Sequence, residues 1–355
     1  MESTSARSMR IAIVPDRTTA RNGTDDSYSA RWVFRLKELG HDVRTIDIAQ
    51  TDVLGQIRGC NALMWRMPHA PYPRLFAQKL LQAVEHGLKI PVFPDSRTNW
   101  HYDDKIAQSY LLEAAGIPTP RTWVFWDRDE AVDFSRSAAY PLVMKLARGA
   151  SSQNVMMVNT PGEAHTWIDR MFHGEVYQLQ GGPSSLKSRI RPALNYLYTG
   201  LHPDPGFWYE SQKHYVLFQE YLPGNPHDTR VTVIGKRAFA FQRQNRIDDF
   251  RASGSGKILY EPDMIDLDFV RLAMRVSREL RLQTTAIDGL YQDGKPVIVE
   301  ISYTYASQAV HDCPGHWILD GLTGHEDLHW AEGHVWPQDL ILDSFLEQVT
   351  GQPSL

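Results

Sequence analysis

Asp288 and Glu300 stand twelve residues apart on two alternating apolar runs, Ala286 to Tyr291 and Pro296 to Ser302, with Asp293-Gly294 between them. An Asp-Gly turn between such runs predicts a β-hairpin, and pairing across it brings the two carboxylates to one face. Adjacent carboxylates attract a cation. Magnesium takes one or two of them and fills its other positions with water and phosphate oxygens, so the pair suits a metal-nucleotide site; the alternative is two exposed acids beside a turn. Lys145 closes an apolar run that begins at Leu142, and Lys105 precedes it in a helix-like stretch. A lysine at the edge of a buried strand needs an anion unless its head snorkels to water. The small, polar segment Leu146 to Asn154, with Ser151 and Ser152, would let backbone N–H groups approach phosphate.

Leu217 to Leu222 reads as a strand that stops at Pro-Gly, where freed backbone groups can meet an adenine edge; Gln219, Glu220, Tyr221 and Leu222 are the candidates. Downstream, Asp228, Arg230, Arg243 and Arg251 offer guanidinium groups for carboxylate or phosphoryl oxygens, with surface positions as the alternative. Arg251 lies in Phe250 to Gly256, whose small residues, Ser255 among them, suit a loop that closes over ligand. Arg66 follows an N-terminal strand and is either a carboxylate anchor or a surface arginine. Cys313, His316, His325 and His329 have spacings compatible with zinc, but no Cys-x-x-Cys accompanies them. The tryptophans at 317, 330 and 336 favour packing of this segment over the end of the nucleotide lobe.

Several elements must position these groups. A strand at Arg10 to Val14, a helix at Ser29 to Leu39, strands at His41 to Ile48 and Ala62 to Trp65, a helix at Tyr72 to Gly87 and a strand at Ile90 to Phe93 predict a parallel α/β layer. No G-x-G-x-x-G follows its first strand, which argues against a dinucleotide site. A helix at Asp103 to Ala115 leads into Gly116 to Pro120; strands follow at Leu142 to Lys145, Val155 to Val158, Tyr215 to Tyr221 and Val231 to Phe241, with a helix near Phe269 to Leu280. The expected divisions are an α/β domain at 9–98, a small lobe at 99–177, an insertion or flap at 178–213 carrying Lys187, Arg189 and Arg191, and a metal-bearing lobe at 214–350.

The 355 residues, 42% of them apolar, exceed what one core usually supports. A net charge of -5 gives no general pull toward nucleic acid or an anionic membrane. Two cysteines, Cys60 and Cys313, exclude a multi-disulfide scaffold and leave one bridge open. The opening residues lack the apolar core of a secretory signal and no run reaches the ~18 apolar residues of a membrane span, so a cytoplasmic protein without membrane insertion is expected.

Taken in order, Asp104-Lys105, Val143-Met144-Lys145, Gln219-Glu220-Tyr221-Leu222, Asp228-Thr229-Arg230, Arg243, Phe250-Arg251, Asp288 and Glu300 resemble the ATP-grasp enzymes over about residues 95 to 310. The resemblance implies an α/β fold of ATP-grasp lobes behind a Rossmann-like N-terminal domain. It also implies that Lys105 and Lys145 contact ATP phosphates, that Glu220 to Leu222 frame adenine and that Asp228 meets ribose. Asp288 and Glu300 would hold magnesium, or manganese in its place, and Arg230, Arg243 and Arg251 would steady the γ-phosphate or an acyl phosphate. Where many members read Glu-x-Asn, this chain reads Glu300-Ile301-Ser302, and a serine hydroxyl is a weaker metal ligand. The segments Asn99 to Lys105 and Phe250 to Gly256 also resemble a branch found with surface-polysaccharide or natural-product assembly. The implied activity is ATP-dependent ligation of a carboxylate to an amine or similar nucleophile, both small molecules; a homodimer is compatible with it. A small-molecule kinase and a nucleotide-binding regulator without turnover are the alternatives.

Overall fold

The computed structural model describes residues 8–16, 27–67, 69, 71–149, 154–174, 176, 211–246, 249–252, 256–320 and 327–351. The expected N-terminal layer forms. Strands β1 (Arg10–Ile13), β2 (Asp42–Thr45), β3 (Ala62–Met64) and β4 (Val92–Phe93) make a parallel sheet in the order β2-β1-β3-β4. Helix α1 (Tyr28–Glu38) starts where the Ser27 hydroxyl accepts from Ala30 N–H, a side-chain cap for an otherwise orphaned donor. Gly40, at φ +76, turns the chain out of it. A short helix, α2 (Val53–Ile57), precedes β3; α3 (Pro71–Gln82) follows it and widens into a π-helical turn at Ala83–Leu88.

Helix α4 (Ser96–Asn99) and helix α5 (Lys105–Ala114) lead out of the N-terminal layer. A small antiparallel sheet then follows, from β5 (Thr122–Phe125), β6 (Leu142–Lys145), β7 (Val155–Val158) and β8 (Val216–Glu220), in the order β5-β8-β6-β7. The sequence reading put β8 at the start of the third lobe, whereas its backbone pairs with β5 and β6. Helices α6 (Arg128–Ser137) and α7 (Pro161–His173) cover this sheet; α7 begins with Thr160 as cap, Pro161 in its first turn and Glu163 reaching back to Asn159 N–H.

The large sheet contains β9 (His227–Ile234), β10 (Arg237–Gln244), β11 (Ile258–Leu259), β12 (Thr284–Gln292), β13 (Lys295–Ser302), β14 (Gly315–Asp320) and β15 (Asp327–Glu332). The single run expected from Val231 to Phe241 is two strands, because Gly235, at φ +58, and Lys236 form a two-residue turn. Helix α8 (Leu267–Glu279) packs on one face, and α9 (Ser307–His311) and α10 (Pro337–Thr350) complete the fold. The tryptophan-rich segment extends the large sheet along β10 instead of capping its end, with Trp317 and Trp330 paired at 4.7 Å. His311 stacks on Trp336 and His316 on Phe239; among the described residues no cluster of His, Cys, Asp and Glu could hold a metal on its own. His325 lies outside the described residues. Cys60 and Cys313 are both free and buried, so they form no bridge.

Among the described residues, three cores hold the molecule. One joins the N-terminal sheet to the large sheet through residues such as Trp32, Phe93, Phe239, Phe241, Tyr303 and Phe345. A second belongs to the small lobe, around Met144, Ile168 and Phe218. The third lies between the large sheet and α8, around Phe269, Val270 and Ile287. No described helix is long and apolar enough to cross a membrane.

Candidate active site

The hairpin of β12 and β13 sets Asp288 directly opposite Glu300, and β12 sets Asp288 opposite Arg230 of β9. One strand further on, Arg243 of β10 faces Asp228. Residues two apart on a strand share a face, so the three carboxylates and two arginines project from one side of the sheet. The register shifts just after Asp288, at Gly289, where a Cβ would sit 2.4 Å from Phe269 Cζ. That bulge re-aims the strand next to the carboxylate pair.

Arg230 grips Asp288 through two bonds of 2.6 and 2.7 Å. Arg243 grips Asp228 at 2.7 and 2.5 Å and also reaches Asp288 at 2.8 Å. Burial opposes the Asp288 charge, but the two guanidinium groups prevail and hold its carboxyl far below the ordinary carboxylate range. Asp228 is pushed up by burial, with Asp288 adding to the effect against the pull of Arg243.

Across the cleft, Lys105 opens α5 and Lys145 ends β6. Asp104 caps α5 by accepting from Ala107 N–H at 3.0 Å, which fixes the start of the helix and with it Lys105. The Lys105 ammonium donates to the Gly149 carbonyl at 2.8 Å and lies 3.7 Å from Glu300. Burial drags the Lys145 ammonium down to about 8, with Glu300 opposing and Lys105 reinforcing the drop. A cation so poorly compensated is a site for an incoming anion.

These groups line an open cleft between the small and large sheets. Glu220, Tyr221 and Leu222 form its wall where β8 ends, and Gln219 also borders it while its amide donates to Thr122 Oγ1 at 2.9 Å. Arg251 borders it too, paired with Asp249 and reaching the Val155 carbonyl of β7 at 3.5 Å, while Phe250 meets Tyr221 edge-on. The structure therefore brings Lys105, Lys145, Gln219 to Leu222, Asp228, Arg243, Arg251, Asp288 and Glu300 together, with Arg230 behind Asp288.

Other expected residues stand apart. The Ser302 hydroxyl donates to the Thr304 carbonyl at 2.9 Å and accepts from Thr304 N–H at 3.3 Å, so it closes a turn at the end of β13 and is not among the residues lining the cleft. Arg66 stacks on Tyr28 at 4.5 Å, at the mouth of the N-terminal sheet, with its Nε buried and without a hydrogen bond. Ser151, Ser152 and Ser255 lie outside the described residues. Asn225 was not singled out from sequence, yet it ties the wall to the hairpin: its amide donates to the Leu222 and Tyr291 carbonyls at 3.3 and 3.0 Å and accepts from Tyr291 N–H at 2.8 Å. The signal for it is its place between Gly224 and Pro226, where a short amide side chain serves a turn.

Gly149 has φ +114, and a Cβ there would fall 2.3 Å from Asn154 Nδ2. Backbone strain of about 1–3 kcal/mol is expected for a side chain in such a position. Gly149→Ala should accordingly lower the thermal midpoint by a few degrees, read by paired melting curves of variant and wild type.

The donor set fits magnesium held with nucleotide. Two carboxylates face each other across a hairpin and border an open cleft, short of the all-protein cage that calcium or structural zinc would require. The arginines that now saturate Asp288 are themselves groups that phosphate oxygens would engage.

No protein-family model matches the chain. The alpha-aminoadipate–LysW ligase LysX of Saccharolobus solfataricus is 28% identical over 79 residues, 22% of this chain. The chain thus matches only 29% of that protein's length. In three dimensions the likeness is nearly complete in extent. A RimK domain ATP-grasp protein of Sphaerobacter thermophilus superposes with TM-score 0.54 at 16% identity, covering 95% of this chain and 99% of that one. The D-alanine–D-alanine ligase of Bacillus anthracis complexed with ATP superposes with TM-score 0.55 at 12% identity, covering 98% and 99%. The chain has the ATP-grasp fold, as the sequence motifs imply.

Proposed function

We propose that the protein is an ATP-dependent ligase that activates a carboxylate as an acyl phosphate and joins it to an amine or similar nucleophile, releasing ADP and phosphate. The observation that carries this reading is the row Glu300, Asp288, Arg230 across three neighbouring strands, facing Lys105 and Lys145 over one cleft. Carboxylates and cations so interleaved can hold a metal and a polyphosphate together while charge moves along the transferring group. Asp288 and Glu300 would hold magnesium, which when bound neutralises phosphate oxygens. Lys105 and Lys145 bind the phosphates, Glu220 to Leu222 frame the base, and Asp228 meets the ribose. Arg230, Arg243 and Arg251 stabilise the transferring phosphoryl group. Arg66, at the carboxyl ends of the N-terminal strands, anchors a substrate carboxylate. Likeness to two proteins named as ligases supports the reaction class.

The test is release of ADP and phosphate from magnesium-ATP across pooled amino acids, hydroxy acids and sugar acids, with products identified by mass spectrometry. The expected result is substrate-dependent release with a condensed product, reduced at least about a hundredfold in Lys145→Ala and Glu300→Ala, as for loss of groups that act on developing charge. A stable phosphorylated product would make the protein a kinase, and bound ATP with no release in any mixture would make it a regulator.

A further inference from the structure

Ala147, Arg148 and Gly149 follow the phosphate-facing end of β6, and partners from elsewhere take all six of their backbone hydrogen-bonding groups. Ala147 N–H donates to Tyr215 Oη at 2.8 Å and its carbonyl accepts from Lys105 N–H at 2.8 Å. Arg148 N–H donates to Gln212 Oε1 at 3.1 Å and its carbonyl accepts from Asn154 Nδ2 at 2.6 Å. Gly149 N–H donates to Asp103 Oδ1 at 3.0 Å, and its carbonyl accepts from Lys105 Nζ at 2.8 Å.

Asp103 differs from the other partners. Its second oxygen, Oδ2, is held by the Arg74 guanidinium, which belongs to α3 of the N-terminal layer. Both side chains are buried, and Asp103 sits at φ 52, a left-handed conformation that aspartate tolerates at some cost. One carboxylate therefore connects the lobe that carries Arg66 to the backbone beside the phosphate lysines. A buried ion pair is costly to break.

We propose that Asp103 is a positioning residue for the nucleotide phosphates, fixing the Gly149 backbone and through it Lys105. The proposal rests on the cleft being a nucleotide site. Asparagine separates its two halves: Asp103→Asn keeps an oxygen for Gly149 N–H but removes the charge that Arg74 meets, and Arg74→Met in the same protein takes away the guanidinium side of the contact.

The experiment titrates the full-length protein with magnesium and a non-hydrolysable ATP analogue, alongside thermal midpoints and amide exchange at Gly149. Asp103→Ala is expected to weaken binding about tenfold, the size of one charge-assisted hydrogen bond, and to speed exchange at Gly149 while the amides of β6 stay protected. The double variant Asp103→Asn with Arg74→Met should bind within about threefold of wild type. A purely structural role would lower the midpoint of Asp103→Ala without moving its affinity, and that result overturns the proposal. So does a double variant that binds as weakly as Asp103→Ala. Absence of binding by the wild type would overturn the nucleotide reading itself, an outcome that the wild-type titration alone reveals.

Discussion

Lys145→Met is expected to abolish ATP binding and, in the same protein, to raise the thermal midpoint by a few degrees. The ammonium sits where burial pulls it down to about 8, opposed by Glu300 and aggravated by Lys105. A lysine whose folded value lies below its ordinary one penalises the folded state wherever the unfolded chain would be charged. The penalty is fully present below about 8 and fades as pH climbs toward the ordinary lysine value near 10.5. Wild-type stability should therefore gain from this group between pH 8 and 10, and the methionine variant should lack that gain. Phosphate beside the ammonium reverses the balance, so ATP binding takes up a proton above pH 8 and weakens as the solution becomes more alkaline. Paired melting curves and titrations at pH 7, 8.5 and 10 read both effects. A variant that melts below wild type at pH 7 would contradict the argument.

Arg243→Met should be the most damaging single change in the large sheet. It strips Asp228 of its bidentate partner and leaves Asp288 with Arg230 alone. Removing one member of a buried ion pair typically destabilises by about 3–5 kcal/mol. In the wild type, Asp288 lies below its ordinary value, so its contribution is present above the carboxylate range and is lost as pH falls through it. Asp228 is already pushed up by burial, and without Arg243 it rises further. Folding of the variant then takes up a proton near neutrality, and its stability should increase as pH falls from 7 to 5. Urea denaturation at the two pH values should show the gap to wild type narrowing at pH 5; a constant gap would assign the loss to packing instead.

How much of this was legible in the sequence depends on how local the signal is. Asp288 and Glu300 could be paired on paper because the turn between them is short and carries Asp-Gly, so the register follows from chemistry within fifteen residues. The capping of α5 by Asp104 and the halt of β8 before Pro223-Gly224 are equally local. The place of β8 between β5 and β6 is not, since it pairs residues roughly 70 to 100 apart and no pattern within the strand records its neighbours. The same holds for β14 and β15, whose tryptophans suggest burial without saying against which edge. Helix α10 had readable ends, Pro337 in its first turn and Gly351 beyond its last, and was passed over beside the more conspicuous histidines. The ion pairs were the least accessible of all. Which arginine meets which carboxylate is set by the register of three strands, and Arg243 engages two of them only because β9, β10 and β12 lie side by side.

The division of the apolar interior has a mechanical meaning. The N-terminal layer and the large sheet share one core, whereas the small lobe keeps its own. Helix α5 bridges the arrangement, with Ile106 in the small-lobe core and Leu112 in the core beneath the large sheet. The small lobe is thus a unit with an interior of its own, tied to the rest of the molecule through α5.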